Sequence, residues 1–107
     1  FYNSKVKEVA LPSTLKLLPT GVFQKCADLR TVRLGNDVEL LSDYVFDGCP
    51  LTDLYITAPL PPVCGSNTFA TTGADFVKTC RLHVPKGRKK YYRANAKWNV
   101  FDNIVEE

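Results

Sequence analysis

The sequence predicts an α/β repeat solenoid, in which short stacked strands alternate with turns or short helical segments and a C-terminal helix caps the array. Three observations support this fold class. Apolar and cysteine positions recur about every 23 residues, each repeat contains a short strand-like pattern, and an aromatic, helix-prone segment follows the last repeat. The chain has 107 residues, of which 45% are hydrophobic and 23% charged, so it is a folded domain rather than a disordered chain.

The repeat is clearest between two segments that begin at Phe23 and Phe46. Cys26 and Cys49 share the same offset of 23 residues, whereas the positions after the second cysteine follow at an offset of 22. These recurring positions are the predicted repeat core, which comprises Phe23, Cys26, Leu29, Val32, Leu34, Phe46, Cys49, Leu51, Leu54 and Ile56.

Each unit also contains the pattern apolar-x-x-apolar-x-apolar, which appears first at Val6, Val9 and Leu11. Its alternating end predicts a strand with one buried face. The segments 15–26 and 38–49 have apolar residues at irregular gaps, which predicts a turn plus a short helical or 3₁₀ stretch. Because a unit this small cannot bury its apolar side alone, the units are expected to stack as a leucine-rich-repeat-like array.

The array is predicted to occupy residues 1–60, as about two and a half units starting in mid-repeat. Residues 61–107 are predicted to form an irregular terminal repeat that follows a proline-rich break. In this segment we expect Phe69 to take the phenylalanine position of the repeat. Residues 70–79 are expected to be a loop, and Leu82 and Val84 to lie in the final strand.

The last twenty residues contain the predicted cap. The sequence favours a helix from residue 86 to about residue 97, with Tyr91, Ala94 and Trp98 on one face. Phe101 and Ile104 extend the apolar surface. We therefore expect Tyr91, Trp98, Phe101 and Ile104 to cover the open end of the array.

The pattern L-P-x-x-L-x-x-L-P-x-x-x-F-x-x-C-x-x-L-x-x-V-x-L, read from Leu11 to Leu34, resembles the BspA-type leucine-rich repeats of bacterial surface proteins. Ser4 replaces the cysteine of the first unit. The ending V-P-K-G…Y…W…F-x-x-I-V-E is similar to the C-terminus of such proteins in gut Bacteroidetes. The chain lacks methionine, even at position 1. We therefore expect the C-terminal portion of a longer surface protein, attached to the outer membrane through a missing N-terminal region.

The cysteines point to structure rather than chemistry. Cys26 and Cys49 are expected to stack as buried spacers, whereas a disulfide between Cys64 and Cys80 is left open. No cysteine pair has the spacing of a structural zinc site, and no glycine-rich phosphate loop is present, so no metal or cofactor is predicted. The one histidine, His83, pairs with Cys64 or Cys80 only as a weak catalytic candidate, and we expect no enzyme.

Positive charge is concentrated near the C-terminus, although the formal net charge of the chain is only +3. The run Arg88-Lys89-Lys90-Tyr91-Tyr92-Arg93 has the composition of a site for acidic polysaccharide, nucleic acid or a lipid surface. A solvated face of the cap helix is the favoured interpretation, since nucleic-acid binders use larger basic stripes. No nucleic-acid partner and no membrane-spanning segment are predicted.

The outward positions of the stacked strands provide the predicted binding face. Alternation places Glu8 and Ala10 on its first strand and predicts that His83 is exposed. The residues of the predicted face are Thr31, Arg33, Asp53, Tyr55, Arg81 and His83. Guanidinium, phenol and imidazole groups suit contacts with a protein or glycan.

The resemblance implies an extracellular or cell-surface module that interacts with another protein or adheres to host components. A passive structural spacer and a glycan-recognition accessory of a larger surface protein remain as alternatives, and a solvated strand face without any ligand stays open.

Overall fold

A computed structural model describes residues 4–71 and 75–107 of the chain. The described residues form eight strands, one α-helix and two 3₁₀ helices, the latter at Phe76–Lys78 and Trp98–Val100. The strands and the helix are β1 (Glu8–Ala10), β2 (Leu17–Leu18), β3 (Thr31–Leu34), β4 (Leu40–Leu41), β5 (Asp53–Ile56), β6 (Val63–Cys64), β7 (Arg81–Val84), α1 (Lys89–Ala94) and β8 (Asn103–Glu106).

The main sheet contains five parallel strands in the order β1-β3-β5-β7-β8. Its register aligns one buried apolar residue from every strand, because each unit returns the chain to the same point. That inward column consists of Val9, Val32, Leu54, Leu82 and Ile104. The predicted strand patterns therefore lie in adjacent parallel strands, which fits the expected α/β repeat fold.

The segments predicted as a turn with a short helix instead contain two-residue strands, which is a correction. Strands β2, β4 and β6 form a second parallel sheet. Hydrogen bonds between units satisfy its backbone, as when the N–H of Ser42 donates to the carbonyl of Leu18 at 3.0 Å. Left-handed residues then interrupt any helix, since Gly21 and Tyr44 have φ values of 64° and 58° at equivalent places.

A ladder of phenylalanine rings runs through the core. The rings of Phe23 and Phe46 stack with centroids 5.9 Å apart, and those of Phe46 and Phe69 stack at 6.4 Å. Phe69 thus takes the phenylalanine position of the next unit, as expected. Cys26 and Cys49 are buried beside this ladder, and the Cys49 thiol donates to the carbonyl of Phe23 at 2.8 Å.

The C-terminal helix is shorter than predicted and turns a different tyrosine inward. Helix α1 ends at Ala94 because Asn95 is extended, and the Asn95 side chain accepts hydrogen bonds from the N–H groups of Lys97 and Trp98. Trp98 therefore lies outside the helix, and the spacing of Tyr91 to Trp98 does not define a helical face. Tyr91 is 40% exposed, contrary to the prediction, whereas Tyr92 is fully buried.

Contacts of the buried aromatic residues attach this segment to the rest of the chain. The Tyr92 hydroxyl donates to the carbonyl of Ala58 at 2.7 Å, and the Trp98 indole N–H donates to the carbonyl of Pro62 at 2.9 Å. Trp98 and Phe101 are fully buried. Both pack edge-on against Phe69, with ring centroids 5.1 and 5.0 Å from that of Phe69.

The strand containing Leu82 and Val84 is not the last one, which corrects the prediction. Strand β8 follows it in the main sheet, with Ile104 beside Leu82. Part of the expected loop at residues 70–79, namely 72–74, lies outside the described residues. In the described part, Phe76 and Val77 are buried in a 3₁₀ helix, so this stretch contributes to the core.

The ladder predicts a large effect of truncating its central ring. Phe46→Ala should lower the free energy of unfolding by about 3–5 kcal/mol, because Phe46 is fully buried against Phe23, Phe69 and Phe76. Urea unfolding measures this loss. Leu40→Ala is the control, since Leu40 is 38% exposed and should lose less than about 1 kcal/mol. Equal losses in the two variants would contradict the ladder.

Candidate functional site

The outward residues of the main sheet form two columns set by the strand register. The first contains Glu8, Thr31, Asp53, Arg81 and Asn103, and the second contains Ala10, Arg33, Tyr55, His83 and Val105. All residues of the predicted binding face therefore lie on one side of the sheet, on three neighbouring strands. We call Thr31, Arg33, Asp53, Tyr55, Arg81 and His83 the strand face.

Three planar groups stack along the second column. The Arg33 guanidinium lies 4.0 Å from the centre of the Tyr55 ring, and the Tyr55 and His83 rings stack at 4.0 Å with an interplanar angle of 8°. The spacing of neighbouring strands, about 4.8 Å, suits such stacking. Both faces of the Tyr55 ring are consequently covered, which leaves only its edge uncovered by these two side chains.

Carboxylates fix the cations of this face. Glu8 accepts a hydrogen bond from Arg33 Nε at 3.1 Å, and Asp53 accepts one from Arg81 at 3.3 Å. Asp53 also lies 2.8 Å from His83 Nε2. The strand face therefore presents an ordered pattern of positive and negative charge rather than a patch of one sign.

His83 is buried, which corrects the prediction that it is exposed. Its residue is 8% exposed, because Tyr55 covers one ring face and both ring nitrogens contact carboxylates. The second carboxylate belongs to Glu107, whose Oε2 atom lies 3.2 Å from Nδ1. Sequence reasoning missed Glu107 because it follows β8, a strand that was not predicted.

Asp53 is the electrostatic centre of the face. Burial raises the pKa of the Asp53 carboxyl, but hydrogen bonds from His83, Thr52 and Arg81 outweigh burial and hold this pKa below its usual value. The folded chain therefore favours the charged carboxylate.

The thiols and His83 do not form a nucleophile–base pair. Cys80 belongs to the buried core, while both nitrogens of His83 are engaged by Asp53 and Glu107. Cys64 and Cys80 are free thiols, so the structure contains no disulfide between them. Burial raises the pKa of Cys49, Cys64 and Cys80 to about 12, which keeps these thiols protonated near neutral pH.

Two further findings concern only residues 4–71 and 75–107. No group of three or more His, Cys, Asp or Glu side chains in these ranges is arranged to hold a metal ion. No helix within them is long and apolar enough to cross a membrane.

The lowered pKa of Asp53 predicts a pH-dependent contribution to stability. The Asp53 carboxylate stabilises the fold above the pKa it has in the unfolded chain, and this stabilisation is lost as pH falls through the lower pKa of the folded chain. Asp53→Asn should therefore lower the Tm at about pH 5 and lower it much less at about pH 2. Thermal unfolding followed by circular dichroism measures both differences. Asp28→Asn, at an exposed position, is the control, and a Tm deficit of Asp53→Asn that grows as pH falls would contradict the assignment.

The raised thiol pKa values predict slow labelling of the native protein. At pH 8, iodoacetamide should alkylate Cys49, Cys64 and Cys80 far more slowly than after unfolding in urea, because thiolate is scarce and the side chains are largely buried. Mass spectrometry of timed samples measures the rates. Labelling of one native thiol at the unfolded rate would identify a reactive cysteine and contradict this interpretation.

Comparisons with known proteins address the repeats directly. A family model described as "BspA type Leucine rich repeat region (6 copies)" matches residues 1–78. Searches of curated proteins and of solved structures found no match to the chain. The matched residues contain the strand face of β3 and β5 and the whole phenylalanine ladder. Because the match covers more than half of the chain, the chain belongs to the BspA-type leucine-rich-repeat family.

Proposed function

We propose that this chain is a non-enzymatic binding module that interacts with another protein through the strand face. The observation that carries the proposal is the Arg33–Tyr55–His83 stack on the outward side of the main sheet. Repeats of this family are a module often involved in protein interaction, which supports the same role.

The stack lowers the entropic cost of binding a partner. Arg33 is held by Glu8 and by the Tyr55 ring, so its long side chain is already ordered in the free protein. Ordering such a side chain on association otherwise costs about 0.5–1.5 kcal/mol. Arginine and tyrosine are also enriched among the residues that dominate interface energies.

The charge pattern of the face favours a partner with complementary charges. Glu8 and Asp53 alternate with Arg33 and Arg81 across neighbouring strands. The side chains of Arg33 and Arg81 remain 48% and 63% exposed despite their carboxylate partners. A protein surface that presents carboxylates opposite these guanidinium groups would bind, whereas one that presents cations would be repelled.

The stacked pair of rings favours a protein partner over a neutral glycan at this face. A sugar ring packs on the open face of an aromatic side chain, but both faces of Tyr55 are covered by Arg33 and His83. The engaged nitrogens of His83 and the buried thiols likewise support a role without catalysis.

The setting of the module is also part of the proposal. We propose that the units continue upstream as a curved solenoid, that this chain is its C-terminal portion, and that α1 with Trp98 caps it. Contacts of α1 with β8 and with the Trp98 turn support the cap. Proteins of this family are typically associated with the cell surface, which supports extracellular display and adhesion to host components.

The strand face is tested by removing the exposed Arg33 and the half-buried Tyr55 together. Arg33→Ala with Tyr55→Ala should weaken binding to a protein partner by at least about 30-fold, since central arginine and tyrosine anchors contribute about 2 kcal/mol or more. Biolayer interferometry against immobilised extracellular-matrix and mucus proteins measures the affinities.

Arg30→Ala with Tyr44→Ala is the matched control, because it removes the same residue types at exposed positions outside the strand face. This variant should bind like wild type. Wild-type affinity of the Arg33/Tyr55 variant would exclude the strand face as the interface. The absence of any partner across the panel would favour a passive spacer.

A further inference from the structure

We propose that the region around α1 is a second binding surface, which takes an anionic polysaccharide carrying sulfate or carboxylate groups. We call Lys86, Arg88, Lys89 and Lys90 the basic surface. This proposal does not rest on the function proposed for the strand face, because it uses other residues and another partner.

The positive charge of the basic surface is not neutralised by ion pairs within the described residues. Between residues 86 and 97 every charged residue is basic, namely Lys86, Arg88, Lys89, Lys90, Arg93 and Lys97. Within the described ranges, none of the four residues of the basic surface forms an ion pair. On the strand face, by contrast, Arg33 and Arg81 each have a carboxylate partner. The basic surface therefore keeps its positive charge available for a ligand.

The nearby carboxylate of Glu106 does not neutralise this surface. Its Oε2 atom accepts the backbone N–H of Lys89 at 3.1 Å rather than a side-chain ammonium group. Hydrogen bonds from the backbone of Lys89 and Gly87 are the main cause of its lowered pKa, and the charges of Lys89 and Lys86 contribute less. Glu106 thus interacts with the charges of Lys86 and Lys89, but within the described residues it forms an ion pair with neither.

The stability of α1 does not explain its basic residues. The positive end of the helix dipole favours acidic side chains in the first turn, yet α1 has none there and begins with Lys89 and Lys90. Arg88 stands at the N-cap position and makes no side-chain capping bond. Lys89 and Arg93 are also like charges four residues apart, which repel each other. These side chains oppose the helix, so a ligand is the better reason for them.

The fold holds α1, and with it the basic surface, in a fixed orientation. Tyr92 of α1 is fully buried: its ring packs on Trp98 with centroids 5.4 Å apart, and its hydroxyl donates to the carbonyl of Ala58. Arg93 donates to the carbonyls of Phe101 and Asp102 at 2.7 and 2.9 Å. Arg93 is therefore structural, and it is left out of the proposed contacts.

The basic surface is separate from the strand face. Because side chains alternate along β8, Glu106 lies on the same side of this strand as the inward-facing Ile104, whereas Val105 belongs to the outward column. The Glu106 carboxylate accepts a hydrogen bond from the N–H of Lys89 at the start of α1. Helix α1 is thus attached to the inward side of β8. A ligand of α1 need not touch Arg33 or Tyr55.

The side chains around Tyr91 favour a polysaccharide over nucleic acid or membrane. Arg88 and Lys90 each lie 5.3 Å from the centre of the Tyr91 ring, so cations occupy the surface that a nucleobase would stack on. Membrane-surface helices combine cations with exposed apolar anchors such as Trp, Phe or Leu, but α1 contains none of these residues and its Tyr92 is buried. Anionic sugars require neither feature. Spaced sulfates or carboxylates match the cations, and the exposed Tyr91 edge is available to sugar hydroxyls.

The test measures binding of the whole chain to fluorescently labelled polymers. Dextran sulfate carries sulfates alone, hyaluronan carries carboxylates alone, and neutral dextran carries no charge. We expect binding to dextran sulfate, hyaluronan or both, with affinity falling steeply between about 50 and 200 mM salt, and no binding to neutral dextran. The comparison of the two charged polymers identifies which anion the surface prefers.

Charge-neutralised variants locate the site. Lys89→Gln with Lys90→Gln should weaken binding by about tenfold, whereas Lys5→Gln with Lys7→Gln should stay within about twofold of wild type. All four lysines are exposed, and each double variant removes two positive charges. An effect of net charge alone would therefore weaken polymer binding equally in the two variants. The Tm of the Lys89/Lys90 variant should not fall, since repulsion within α1 is relieved. Lys86→Gln is a second variant for the case that the Lys89/Lys90 variant is less stable than wild type, because Lys86 lies outside the helix. This variant should also weaken binding.

Several results would overturn the proposal. These are no binding to either charged polymer at low salt, equal losses in the two lysine pairs, or tighter binding of a single-stranded oligonucleotide or of phosphatidylserine vesicles at the same salt. Loss of polymer binding in the Arg33→Ala, Tyr55→Ala variant would assign the polymer to the strand face instead. Failure of the protein-partner test leaves these outcomes unchanged, so the two proposals fail separately.

Discussion

The whole structure depends on one constraint, namely that each unit buries its apolar side only against its neighbours. The backbone enforces this, as when the N–H of Phe23 donates to the carbonyl of Val45 at 3.1 Å and that of Lys25 to Asp47 at 2.8 Å. Side chains at equivalent positions are thereby brought into direct contact, which yields the stacked Phe23 and Phe46 rings. Burial and hydrogen bonding thus select the same alignment, and neighbouring units have little freedom to slip.

The same alignment creates the strand face. Arg33, Tyr55 and His83 are far apart in sequence, yet they hold the same place in successive strands and therefore meet at stacking distance. A column of this kind needs planar side chains at one position in three units. Its order comes from the core beneath it, so a repeat array can change its outward residues without changing its fold.

The core was predictable from sequence because its pattern recurs. Recurrence identified the ten repeat positions, such as Phe46, which are buried, and it also identified Phe69, which stacks on Phe46. Features that depend on a single tertiary contact were not. Two-residue strands such as β2 are too short to leave a period, and β8 is a strand only because β7 offers an edge. The six residues of the strand face were placed together by alternation alone, but the burial of His83 required Glu107, which lies beyond the repeats.

The two charged surfaces of the chain differ in a way that separates their physical roles. On the strand face, the charges are paired and act at short range, so in the proposed interface they would govern which partner fits and how long it stays. At α1, Lys86, Arg88, Lys89 and Lys90 form no ion pair with any described residue, so they would act at longer range, and their attraction for an anion would decay over about 8 Å at physiological salt. A polymer held at α1 would keep the strand face near any protein attached to that polymer. Because the second contact is then intramolecular, two individually weak surfaces on one chain would give tight retention without any further contact.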